Sequence, residues 1–365
     1  MSTRKLLTVV GARPQFVKAS AVSRALANDP TFTEVLVHTG QHFDANMSAV
    51  FFEELAVPAP RHNLEVHSLP HGAMTGRMLE KLEEVFLAER PDVVLVYGDT
   101  NSTLAGALAA RKLNIPVAHV EAGLRSFNLR MPEEVNRILT DRISDLLCCP
   151  TQRAVGNLHA EGFEKMPCRV VNTGDVMLDT AQHYAGLAQQ RSTVLDRLSL
   201  RGRTFALATL HRAENTDDPQ RLASIVRGLQ EIARDLPVVL PLHPRTAAAI
   251  RRQDLALDLV VIEPVGYLDM VGLLQGARVV LTDSGGLQKE AYFFGKPCVT
   301  LRDETEWVEL VEGGFNWLAG AESEAIAAAY RAACEARPVF AANLYGEGKA
   351  GPAIVEELRR LLASD

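Results

Sequence analysis

An α/β chain built from two doubly wound parallel sheets is what this sequence predicts, and three observations predict it. Short apolar, β-branched runs recur along the chain with helical stretches between them, which implies parallel strands joined by crossovers. The residues that follow almost every run are polar, as expected where ligands meet the carboxyl ends of such strands. The length of 365 residues fits two domains of about 150–200 residues, each with its own core.

Composition narrows the class. A hydrophobic content of 47% and a mean hydropathy of +0.01 are ordinary for a soluble α/β enzyme. The net charge of −7 argues against nucleic acid or an anionic membrane as the main partner. Any bound phosphate must then be held locally, by a few cations and backbone amides. The five cysteines are odd in number and form no C-x-x-C pair, which points to buried reduced thiols in a cytoplasmic protein. The apolar run after Lys5 stops at Gly11, too short for a signal peptide. No stretch approaches the ~18 apolar residues of a membrane span.

Runs at 6–10, 34–40, 93–99, 117–121, 146–150 and 170–173 supply the first sheet, and runs at 205–210, 238–242, 259–263, 279–283 and 298–301 the second. The expected division is 1–172 and 173–351, with an amphipathic terminal helix, 352–365, returning to the first domain.

After the first run, Gly11 permits a turn, Pro14 suits a first helical turn, and Arg13 and Lys18 place two cations beside it. A diphosphate is one use of that arrangement, and a solvated basic turn is the other. Thr39-Gly40-Gln41-His42-Phe43-Asp44 offers a polar helix start. The third run ends at Gly98-Asp99-Thr100, where Asp99 is either a helix N-cap or a functional carboxylate. The fourth ends in Glu121, and a buried carboxylate there costs several kcal/mol unless paired. Arg125 is the expected partner. Such a group is a candidate acid or base. Glu133 and Glu134 follow Pro132 as first-turn acids, which the helix dipole explains, with a catalytic role as the alternative.

In the second half, His211 and Arg212 follow the strand at 205–210, and His243 follows the strand at 238–242. Both positions suit proton transfer or phosphate contact. The strand at 279–283 turns through Ser284-Gly285-Gly286 into a helix whose N–H groups and dipole favour an anion. Glu290, further along that helix, is placed to accept hydrogen bonds from a ribose. No zincin, Walker, nucleophile-elbow or dinucleotide fingerprint is present, and no cysteine and histidine cluster has metal-ligand spacing.

The segments 11–18 (Gly-Ala-Arg-Pro-Gln-Phe-Val-Lys), 97–102 (Tyr-Gly-Asp-Thr-Asn-Ser), 119–125 (His-Val-Glu-Ala-Gly-Leu-Arg), 132–137 (Pro-Glu-Glu-Val-Asn-Arg), 211–215 (His-Arg-Ala-Glu-Asn), 241–245 (Pro-Leu-His-Pro-Arg) and 282–290 (Thr-Asp-Ser-Gly-Gly-Leu-Gln-Lys-Glu) occur in the order found in the non-hydrolysing UDP-N-acetylglucosamine 2-epimerases. The chain resembles that family from about residue 5 to about residue 320. The resemblance implies a GT-B-like fold, two Rossmann-like domains facing across a cleft. It also implies C2 epimerisation of a UDP-2-acetamido sugar through elimination of UDP to a 2-acetamidoglucal and re-addition, with no metal and no cofactor. Carried over by position, Asp99, Glu121 and Glu133 are acid/base carboxylates and His211 assists them. Arg13, Lys18, Arg212, His243, Ser284, Gly285, Gly286 and Glu290 line the substrate or hold UDP.

The chain departs from the family's usual pattern at Gly11-Ala12-Arg13-Pro14-Gln15, at His42-Phe43-Asp44-Ala45-Asn46-Met47 and at Thr305-Glu306-Trp307-Val308-Glu309. Those departures lean toward the subgroup acting on UDP-2,3-diacetamido-2,3-dideoxyglucuronate, an intermediate for surface polysaccharides, with UDP-N-acetylglucosamine kept open. A homodimer is expected from the resemblance alone. A GT-B glycosyltransferase, a hydrolysing epimerase and a nucleotide-sugar sensor without turnover are the competing readings.

Overall fold

The computed structural model describes residues 3–41, 57–336, 338–340 and 343–363. The chain divides into two compact units, Met1–Gln182 with Asn343–Asp365, and His183–Ala342.

In the first unit, β1 (Arg4–Val10), β2 (Phe32–His38), β3 (His62–Asn63), β4 (Val93–Tyr97), β5 (Val117–Val120), β6 (Leu146–Cys149) and β7 (Arg169–Asn172) form one sheet in the order β3-β2-β1-β4-β5-β6-β7. Neighbouring strands pair in parallel, with Leu6 opposite Val93 and Val96 opposite His119. Such strands are covered on both faces, which is why they read as unbroken apolar runs. Met78, Leu82 and Phe86, from the helix His71–Glu89, pack with Val94 and Val96. Each fully buried side chain of this kind contributes roughly 1.5–3 kcal/mol. The helix Asn101–Lys112 lies close to the sheet because its residues are small. A methyl on Gly106 would stand 3.1 Å from Val96.

The terminal helix, Ala350–Ala363, packs on Arg13–Ala27. A Cβ on Gly351 would come within 2.7 Å of the Ala21 carbonyl oxygen, so glycine permits the contact. Asp179 accepts the N–H groups of Ala350 and Gly351 at 3.1 and 2.8 Å, and Arg359 pairs with Asp29 at 2.8 Å. Those Asp179 bonds help to place residues 173–182, expected in the second domain, with the first unit. The helix Val176–Arg191 spans the division.

In the second unit, β8 (Ala206–Thr209), β9 (Val238–Pro241), β10 (Val260–Ile262), β11 (Val279–Thr282), β12 (Cys298–Thr300) and β13 (Asn316–Leu318) form a sheet ordered β10-β9-β8-β11-β12-β13. Two apolar clusters include alternating side chains of its central strands, Ala206 and Ala208 in one, Leu207 and Val280 in the other.

Each sheet reverses its strand order once, between β1 and β4 and between β8 and β11. Crevices at such reversals, outside the carboxyl ends of the strands, are where open α/β sheets bind ligands. Every strand expected from the sequence is present. β3 and β13 were not expected, because two- and three-residue edge strands leave little apolar signal. Among the described residues no helix is long and apolar enough to cross a membrane.

Candidate active site

The first reversal brings the loop after β1 beside the ends of β4 and β5. Gln15 joins them. Its Oε1 accepts the N–H groups of Gly11 and Ala12 at 2.8 and 3.0 Å, and its Nε2 donates to the Tyr97 carbonyl at 2.9 Å and to Thr103 Oγ1 at 3.0 Å. The side chain of Arg13 lies outside the described residues, as do His42, Phe43 and Asp44.

Glu121 directly follows β5 and has a φ of +70°. A left-handed conformation in a non-glycine residue costs roughly 1–2 kcal/mol and persists where the surroundings impose it. Lys18 Nζ stands 2.5 Å from Glu121 Oε1, with the two side chains 9% and 6% exposed. A carboxylate this deep is tolerated because a cation faces it. Arg125 is not that cation, contrary to the sequence expectation. Its Nε and Nη2 donate to Glu161 at 2.6 and 2.9 Å and its Nη1 to Asp141 at 2.7 Å, because the turn after Glu121 carries it away.

Asp99 does not cap the next helix. Thr100 does, its Oγ1 accepting the N–H of Thr103 at 3.3 Å. The Asp99 carboxylate instead accepts from Arg137 Nη2, and its carbonyl accepts from Asn136 Nδ2 at 2.9 Å. Arg137 also donates to Glu134 at 2.8 Å. Glu134 is the buried one of the paired acids, and it clamps the preceding loop by accepting from Ser126 N, Ser126 Oγ and Phe127 N at 2.9, 3.0 and 2.9 Å. Glu133 is exposed in the first turn of Pro132–Ile143. Asp99 and Glu121 thus follow neighbouring strands, each with its own cation.

At the second reversal the organising residue is Asp283, fully buried at the end of β11. It accepts the N–H groups of His211 and Arg212 at 3.0 and 2.9 Å, and its Oδ1 lies 3.4 Å from His211 Nδ1. The sequence reading took Asp283 only as the last residue of the strand run 279–283, although an aspartate at the end of an apolar strand is the signal that singled out Asp99. His243 caps the helix Pro244–Arg252, its Nδ1 accepting from Arg245 N at 3.2 Å, and its ring lies 6.5 Å from that of His211.

Ser284 caps the helix Gly285–Phe293, its Oγ accepting from Leu287 N at 3.5 Å. The open N–H groups of this first turn, which includes Gly286, suit an anion. Gly285 has a further reason to be glycine. A Cβ there would stand 2.3 Å from Glu306 Oε1, and Glu306 is held by buried Arg302 at 2.9 Å. Glu290 is buried and accepts from the Tyr267 hydroxyl at 2.9 Å, so its carboxylate is oriented before any ligand arrives. Lys289, fully buried, lies 4.1 Å from the centre of the Trp307 ring, a cation–π contact.

A model of the UDP-N-acetylglucosamine 2-epimerase family matches residues 24–359. The UDP-2,3-diacetamido-2,3-dideoxy-D-glucuronate 2-epimerase of Pseudomonas aeruginosa is 58% identical over 358 residues, covering 98% of this chain and all of that protein. A UDP-N-acetylglucosamine 2-epimerase of Methanocaldococcus jannaschii is 43% identical over 370 residues, covering 97% and 98% of the two chains. Among solved structures, the Methanocaldococcus jannaschii UDP-GlcNAc 2-epimerase in complex with UDP-GlcNAc and UDP superposes with a TM-score of 0.90 at 41% identity, over 99% of this chain and 100% of that one. The Neisseria meningitidis enzyme bound to UDP-GlcNAc gives 0.87 at 31% identity, over 98% and 100%. Two parallel doubly wound sheets and these neighbours make the fold GT-B-like.

Proposed function

Because this chain belongs to the UDP-N-acetylglucosamine 2-epimerase family and is a UDP-sugar 2-epimerase, we propose that it inverts C2 of UDP-2,3-diacetamido-2,3-dideoxyglucuronate without hydrolysis, to supply a surface polysaccharide precursor. The 58% identity to the Pseudomonas aeruginosa enzyme of that name supports the substrate. UDP-N-acetylglucosamine is the second reading, supported by the Methanocaldococcus jannaschii relative at 43%.

The observation that carries the mechanism is the pair of carboxylates after neighbouring strands, Glu121 facing Lys18 and Asp99 facing Arg137. A carboxylate on one side of the sugar ring takes the C2 proton. The C2–H electrons form the C1=C2 bond as the C1–O bond to UDP breaks, leaving a 2-acetamidoglucal and UDP. UDP then re-adds at C1 while a second carboxylate, with its proton, protonates C2 from the opposite face. Asp99 and Glu121 take these parts, with Glu133 as the third acid. His211, held by Asp283, acts at the departing diphosphate, with Arg13, Arg212 and His243 as the further basic contacts and Lys18 beside the sugar. Ser284, Gly285 and Gly286 hold the phosphates by their N–H groups, and Glu290 holds the ribose. The enzyme acts as a cytoplasmic homodimer.

Incubation in D₂O with each UDP-sugar, followed by NMR at C2, tests this reading. Deuterium at C2 and a manno-configured product from the diacetamido uronate are expected. Turnover of UDP-N-acetylglucosamine instead would reassign the substrate. Saturable UDP binding without exchange in either tube would reject the mechanism.

A further inference from the structure

Behind the turns that carry Asp99 and Glu121 lies a buried histidine–aspartate pair that the proposed chemistry does not use. His119, on β5, has a side chain with no exposed surface. Its Nε2 is 2.7 Å from the Gly98 carbonyl oxygen and its Nδ1 is 2.7 Å from Asp141 Oδ1. A carbonyl oxygen only accepts, so Nε2 carries a proton. The other oxygen of Asp141 already accepts from Gly123 N at 3.2 Å and Arg125 Nη1 at 2.7 Å. Burial pushes the Asp141 carboxyl up, yet the hydrogen bond and charge of His119, with those of Arg125, outweigh it and hold the group below its ordinary range. The ring faces Asp141 with Nδ1 and Gly98 with Nε2, so the two side chains form one buried unit that reaches both turns.

What this pair touches gives it a role. Gly98 immediately precedes Asp99, and Gly123 lies two residues beyond Glu121. Gly98, Glu121 and Gly123 all sit at positive φ, +63°, +70° and +80°. His119 grips the first turn by its carbonyl, and Asp141 grips the second by its N–H. The backbone bond from Gly98 N to Val120 O, at 2.9 Å, joins the turns only at their bases.

We propose that His119, buried and hydrogen-bonded to Asp141, is a positioning residue that sets the spacing between the Asp99 and Glu121 carboxylates. The role rests on the acid/base reading of those two groups. A side chain that only held β5 to the helix Pro132–Ile143 would affect folding without singling out turnover.

Two variants separate these roles. The amide of His119→Gln reaches the position of Nε2 and can still donate to Gly98. The amide of His119→Asn reaches only Nδ1 and loses that bond. We expect His119→Asn to lower kcat by roughly ten- to hundredfold, the range that small misplacements of reacting groups produce. KM for the UDP-sugar and Kd for UDP should hold within about twofold, and His119→Gln should regain much of the loss. Equal losses in both variants, or a rise in KM and Kd parallel to the fall in kcat, would overturn the proposal. The wild-type protein gives a readout that needs neither variant nor activity. With ¹⁵N-histidine labelling, His119, identified by its contacts to Gly98 and Asp141, should show Nε2 protonated and hydrogen-bonded to the Gly98 carbonyl. An unprotonated Nε2 would overturn it too. Absence of C2 deuterium exchange in wild type is a different failure, since it removes the acid/base reading while the ring-nitrogen result still decides whether His119 grips Gly98.

Discussion

Lys18 Nζ and Glu121 Oε1 are 2.5 Å apart across 103 residues of sequence, in a place where both side chains are almost fully buried. Removing one member of such a pair strands the other charge. Lys18→Met should lower stability by about 3–5 kcal/mol, read as the shift in a urea unfolding midpoint, and should abolish C2 exchange in whatever fraction remains folded. A stability equal to wild type would show that the pair is dispensable.

The paired acids after Pro132 should separate cleanly. Glu134 accepts from Ser126, Phe127 and Arg137, whereas Glu133 is exposed. Glu134→Gln is expected to cost about 2–3 kcal/mol, since a buried acceptor is lost and Arg137 loses a charge partner. Glu133→Gln should leave the melting temperature near wild type, as exposed substitutions usually stay within about 0.5 kcal/mol, and lower kcat. The reverse pattern would exchange their parts.

Gly285 and Glu306 form a third test. Gly285→Ala places a methyl against the Glu306 carboxylate, and the displaced turn should weaken UDP binding roughly tenfold, about 1.4 kcal/mol. Calorimetry on Gly285→Ala, Glu306→Ala and the double variant forms a cycle. The double variant should bind UDP better than additivity allows. Strict additivity would place the fault elsewhere than Glu306.

Acid should act through Asp141. Its folded-state value lies below the ordinary 3.8, so the stability it supplies is complete above that value and is lost as the pH falls through the folded one. The gap in urea midpoint between wild type and Asp141→Asn should be wide at about pH 6 and should narrow at about pH 3. A gap that stayed constant would rule out the linkage.

Thiol reactivity offers a test free of the catalytic reading. Burial pushes the thiols of Cys148 and Cys149 up, and that of Cys298 to about 12. Cys168 and Cys334 are only partly buried. Titration with a disulfide reagent at about pH 8, where reactivity follows thiolate and access, should label those two first and Cys148, Cys149 and Cys298 only on unfolding. Early modification of Cys148 would contradict the burial described for β6.

Much of this was legible in the sequence for a simple physical reason. Parallel strands covered on both faces must be apolar, and the polar residues at their carboxyl ends stand out against them. Asp99, Glu121, His211 and Ser284 could therefore be placed just past strand ends from the sequence alone. The partner of each carboxylate could not. Arg125, four residues from Glu121, was the natural candidate, but the sheet order 2-1-4-5 brings Lys18 across on the helix Arg13–Ala27 that follows β1 instead. Glu133 and Glu134 share one helical turn, and a rotation of about 100° per residue decides which faces inward. That choice depends on the loop at 126–127, which has no apolar pattern to read.

The last helix closes the unit that the first strand opens. Gly351 against Ala21, Arg359 against Asp29 and the two N–H bonds to Asp179 all bind Ala350–Ala363 to the first unit. The second unit, His183–Ala342, is by contrast one uninterrupted stretch of chain. On the ribosome the order of completion is therefore the reverse of the order of synthesis. The second unit has its whole sequence available first, and in the first unit the helix Arg13–Ala27 stays uncovered until Ala350–Ala363 has emerged.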